Sequence, residues 1–119
     1  RHRALLKQEE SKRPAKLFRI PTSKQSVIYI QIVGYLLLGE VCGKLEKYDE
    51  AIQYFDRAGA IGTPFYDELY CKAMLYEKIG KDKDAYKLYQ EIAEKLRKKG
   101  FDIEAGMAEE SARKFFYGL

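Results

Sequence analysis

The chain has 119 residues, 46% hydrophobic and 34% charged. That is enough apolar material for one folded domain or a short array of repeats, and too regular a composition for a disordered tail. The only histidine is His2, at the extreme end, and Cys42 and Cys71 are widely spaced. These facts exclude a histidine-centred triad, a metal site of ordinary ligand spacing and a disulfide framework.

The net charge of +4 is unevenly distributed. Residues 1–27 hold eight basic residues against two acidic ones, a net +6, and the remainder carries a net −2. The chain opens on Arg1 and not on Met, so it reads as a processed or excised piece. Residues 1–21 form a basic arm that Pro14 and Pro21 break into short pieces: a brief helix over Ala4–Lys12 and an extended run over Lys16–Pro21. The arm reads either as a solvated leader or as a charge-driven binder of nucleic acid or an anionic surface. The first reading is preferred, since Glu9 and Glu10 interrupt the patch and Phe18 is its only aromatic residue, which disfavours nucleic acid. Alternatively, Leu17, Phe18 and Ile20 fold back as an N-terminal cap. No secretory signal is visible. The most apolar stretch, Val27–Leu38, contains Gln31 and Gly34 and is followed by Glu40 and Lys44, so no membrane span is expected. Unpaired cysteines point to a reducing, cytoplasmic setting, with a removed signal or anchor left open.

From Thr22 the pattern is helical. Thr22 and Gln25 suit a capping box, and the apolar run is too long for the strand that its β-branched residues suggest. Shifted by about 34 residues, a repeat length characteristic of stacked helix pairs, the chain matches itself. Tyr35 falls on Leu69, Gly39 on Ala73, Val41 on Leu75, Ala51 on Ala85 and Phe55 on Tyr89. Each unit reads as helix, turn, helix: Thr22–Gly43 and Asp49–Ala58, then Pro64–Ile79 and Asp84–Lys99, with Gly100 as a C-terminal cap residue. Gly39, Ala51, Ala73 and Ala85 let paired helices approach closely, and Tyr35, Leu38, Phe55, Leu69 and Tyr89 fill the space around them. Phe101–Leu119 carries Ile103, Met107, Ala108, Ala112 and Phe115 at helical spacing and reads as a solvating terminal helix. Phe115, Phe116 and Tyr117 would dock it or supply a self-association surface.

These residues resemble the tetratricopeptide repeat family over about residues 32–99. In the first unit the resemblance rests on Tyr35, Leu38, Gly39, Tyr48, Ala51, Phe55 and Ala58, with Pro64 one residue late. In the second it rests on Leu69, Ala73, Tyr76, Gly80, Ala85 and Tyr89. Cys42, Lys72 and Ile92 depart from the pattern. The resemblance implies an all-α fold, a right-handed α-α superhelix of helix hairpins. Its units would be about 32–65 and about 66–99, with a capping helix at about 101–119, inside a domain spanning 22–119.

No glycine-rich phosphate loop, nucleophile elbow or metal cluster is present, so no catalytic residue, metal or cofactor is assigned and no enzyme is expected. Asp49–Glu50, Asp67–Glu68 and Glu109–Glu110 read as helix-start or solvated pairs. The resemblance implies a protein-interaction module that holds a peptide or helix of a partner protein in a groove lined by the first helices. Carried over, it selects Val33, Leu36, Glu40 and Lys44, then Asp67, Tyr70, Met74 and Lys78, each set forming one helical stripe. A second copy of the chain is a further candidate partner. Leu36 and Glu40 stand where lysine and asparagine would form a carboxylate clamp. No binding of acidic chaperone tails is therefore expected, and micromolar affinity for such a peptide would contradict this.

Overall fold

The computed structural model describes residues 23–118, with side chains through Phe115. The basic arm, the Ala4–Lys12 helix, the capping role of Thr22 and the fold-back of Leu17, Phe18 and Ile20 lie outside the described residues. So do the side chains of Phe116 and Tyr117.

Among the described residues the structure is entirely helical: α1 (Lys24–Lys44), α2 (Tyr48–Ile61), α3 (Asp67–Lys78), α4 (Asp82–Lys98) and α5 (Asp102–Gly118). Each helix packs on the next, and α1 also touches α3. The helices start and stop for local reasons. Ser23 caps α1: its hydroxyl accepts from the Ser26 N–H at 3.1 Å. Asp49 and Glu50 occupy the first turn of α2 and Asp82 and Asp84 that of α4, which favours their positive N-terminal ends. Lys95, Arg97 and Lys98 complement the opposite end of α4, and Gly100 follows with φ of 86°, the left-handed conformation expected of it. Helix α3 begins three residues later than the sequence suggests. Tyr66 adopts φ of 60°, and the Thr63 hydroxyl accepts from the Asp67 N–H at 3.2 Å, so Pro64 and Phe65 belong to the turn. Glu109 and Glu110 lie within α5 and pair with Arg97 and Arg113, so that acidic pair is not a helix start.

The repeat register holds in three dimensions. Ala51, Ala73 and Ala85 are completely buried and Gly39 is buried beside them. A side chain on Gly39 would put its Cβ 2.7 Å from Phe55 Cδ1, so only glycine lets α1 ride directly on that ring. Between units the approach at Gly43 is close but less severe: a Cβ there would lie 3.3 Å from Leu75 Cδ1, which a small shift of the leucine would relieve. The core divides accordingly. Cys42, Ala51, Phe55 and Leu75 form one cluster, and Ala73, Ala85, Tyr89, Ile92, Leu96 and the inner face of α5 form the other. Ile92 departs from the alanine of the repeat pattern, yet it is fully buried, because α5 closes over it.

Two packing expectations are corrected. Leu38 is exposed and does not fill the space around the small residues. In α5 the inner face is Ala105, Ala108, Ala112 and Phe115, whereas Ile103 and Met107 are 79% and 64% exposed. Alanines at this spacing let α5 lie close on α4, which a stripe built on Ile103 and Met107 would prevent. Phe115 stacks on Tyr89 with centroids 6.2 Å apart. The Tyr89 hydroxyl donates to Glu77 at 2.6 Å, and Lys114 pairs with the same carboxylate, so three helices meet at one polar knot. Burial raises the Tyr89 hydroxyl's pKa, and the bond to Glu77 adds to the shift.

Candidate functional site

The first helices of the two units, α1 and α3, flank a cleft of about 290 Å³. Its floor is Gly39, Gly43, Phe55 and Leu75, and its walls are Glu40 and Lys44 from α1 and Cys71, Met74 and Lys78 from α3. The floor exists because two glycines remove side chains where α1 crosses Phe55 and Leu75. Glu40, Lys44, Met74 and Lys78 point into the cleft because 40 and 44, and 74 and 78, are one helical turn apart.

The rim is electrically mixed. Glu40 pairs with Lys44 at 3.8 Å, both exposed, an ion pair worth well under about 1 kcal/mol. Lys78 Nζ donates to the Gly43 carbonyl at 3.1 Å, across the seam between units. It satisfies an oxygen at the end of α1 while keeping a cation at the cleft mouth. Met74 is exposed and supplies an adaptable apolar wall.

Of the eight groove residues selected from sequence, Glu40, Lys44, Met74 and Lys78 line this cleft. Leu36 is half-buried against the Cys42–Phe55 cluster, and Val33 is half-buried one turn before it. Asp67 is exposed at the start of α3. Tyr70 packs on Tyr89 at 6.0 Å, and burial, then the Asp67 charge, raises its hydroxyl's pKa. The floor residues Phe55 and Leu75 read from sequence as core alone, and Cys71 as a buried small hydrophobe. The overlooked signal was the spacing of Cys71 to Met74 and Lys78, which puts Cys71 beside the stripe already chosen.

Cys71 is half-buried, and its thiol is pushed from the usual 9.0 up to about 11 by burial first, then by Asp67, Glu40 and Glu68. It is therefore a thiol at neutral pH, with about one-hundredth of the thiolate of an ordinary cysteine. Iodoacetamide modification of Cys71, followed by peptide mass spectrometry at pH 8, is expected to run about a hundredfold slower than in the unfolded chain. The rate should climb between pH 9 and pH 11, and an ordinary rate at pH 8 would contradict the assignment. The raised pKa also sets a direction for stability. The unfolded chain ionises first, so this contribution is complete below pH 9 and is lost as pH rises through about 11.

Among the described residues no group of three histidine, cysteine, aspartate or glutamate side chains is placed to hold a metal ion. The fold and cleft define a helical-hairpin repeat array with its open seam between successive first helices. Residues 35–63, the end of α1 with all of α2, match the tetratricopeptide repeat family. No curated protein and no solved structure matches the chain. Repeats of this family generally mediate protein–protein interactions and are typically non-enzymatic modules.

By length and composition alone the 21 residues of α1 are apolar enough to cross a membrane, which does not show a span either way.

Proposed function

We propose that the cleft between α1 and α3 receives a short extended or helical segment of a partner protein. The supporting observation is an apolar floor of Phe55 and Leu75 with Met74 as an apolar wall, rimmed by charges of both signs, Glu40 against Lys44 and Lys78. Such a site gives a partner side chain one apolar anchor and fixes its direction with rim charges. The segment best suited carries a large apolar residue flanked by one acidic and one basic residue.

A displayed peptide library selected on the full chain supplies the test ligand. Met74→Ala and Lys78→Glu are each expected to weaken the selected peptide about tenfold, with helicity unchanged. Saturating peptide should also protect Cys71 from alkylation at pH 9. Tyr70 is a poorer probe, because its ring packs on Tyr89 and truncation would disturb the fold. A peptide whose affinity ignores both substitutions and leaves Cys71 reactive would place recognition elsewhere.

A further inference from the structure

We propose that the N-terminal half of α1 lies in the surface of an anionic lipid bilayer and, with the basic segment ahead of it, tethers the repeat array to a membrane. The inference is independent of what the cleft binds. It starts from an uncharged run: the residues between Lys24 and Glu40 include no acidic or basic side chain. Within that run Val27, Ile28, Tyr29 and Ile30 are consecutive and all exposed, Tyr29 by 67%. Four consecutive residues, each turned about 100° from the last, cover every side of a helix. An apolar turn of this kind is covered when it submerges at the boundary between headgroups and acyl chains.

Downstream, the exposure narrows to a stripe. Leu37, Leu38 and Val41 remain exposed, and Gly34 has open space where a side chain would stand. This stripe lies opposite the face by which Gly39, Cys42 and Gly43 pack into the array. It continues from Ile30 and gives α1 one apolar edge along most of its length. Charge completes the match. The net +6 of residues 1–27 adjoins the apolar turn, while the rest of the chain is net negative. Anionic headgroups attract the first part and repel the second, which orients the array away from the surface.

Packing excludes a full crossing without disrupting the array. The uncharged run rises about 22 Å as a helix, short of the roughly 30 Å hydrocarbon core. From Gly39 onward α1 is committed to Phe55 and Leu75. The helix therefore rests along the headgroup boundary, its first turns submerged and Tyr29 at the level where aromatic rings with a polar tip settle.

The test is flotation of the full chain with phosphatidylcholine vesicles, with and without phosphatidylserine. Binding is expected only with phosphatidylserine, falling with salt. Val27→Asp with Ile30→Asp should reduce it by about tenfold or more while circular dichroism and thermal midpoint stay unchanged. The chain has no tryptophan, so Tyr29→Trp supplies a clean reporter. Its emission should shift to the blue on anionic vesicles and be quenched by brominated acyl chains. Absence of flotation, flotation indifferent to the double substitution, or an unquenched reporter would each overturn the proposal. So would a lipid-free dimer in sedimentation velocity that the double substitution splits, since a second copy would then be the occupant.

Discussion

Truncating Phe55 to alanine is expected to destabilise the chain by about 3–5 kcal/mol, the range for a large buried ring removed from a core. Phe55 is almost fully buried, centres the Cys42–Ala51–Leu75 cluster and forms the cleft floor. The size of the loss follows from Gly39. Gly39, the α1 residue directly over the ring, has no side chain to fill the space the ring vacates.

The same geometry predicts a change of sign. Gly39→Ala in the native background gains about 1 kcal/mol of helix propensity but must displace a buried ring, which costs about 1–3 kcal/mol. The net effect is destabilising. In the Phe55→Ala background the obstacle is gone and Gly39→Ala should stabilise. Urea unfolding of the four proteins forms a double-mutant cycle. Additive values within error would mean that Gly39 and Phe55 are not in the contact described.

The second large effect is expected at Ile92. Replacing it with alanine should cost about 2–5 kcal/mol, because the side chain is completely buried where α5 covers α4. The consequence is local as well as global. Helix α5 is held by Ala105, Ala108, Ala112 and Phe115 against that same cluster, and no further described helix backs it. Amide exchange in Ile92→Ala should therefore accelerate in α5 and the C-terminal half of α4 more than in α2. Uniform acceleration along the chain would show that the two core clusters unfold as one unit and that Ile92 has no special hold on α5.

Half of the candidate site was legible before any coordinates. The stripe containing Glu40, Lys44, Met74 and Lys78 could be chosen because positions one helical turn apart share a face, and the repeat marks which helices face the seam. The floor was not legible. Phe55 and Leu75 are core residues that also meet the cleft, because Gly39 and Gly43 expose them from above. Whether a buried ring is partly open to a cleft depends on the neighbouring helix, not on its own sequence context. Cys71 is similar, since its raised pKa depends on Asp67, Glu40 and Glu68 meeting around it.

The helices, their pairing and the close contacts at Gly39, Ala51, Ala73 and Ala85 followed from the sequence alone. Periodicity and side-chain size are local properties, and the repeat prints them twice in register. Three features required the tertiary structure. The start of α3 depends on Tyr66 and the Thr63 hydroxyl, a turn geometry that no apolar period encodes. The inner face of α5 went to small alanines over Ile103 and Met107, because closeness to α4 outweighed hydrophobicity. The exposure of Val27, Ile28, Tyr29 and Ile30 appears only in the folded chain: hydrophobic residues declare an affinity for burial, but what buries them depends on which neighbours the folded chain provides.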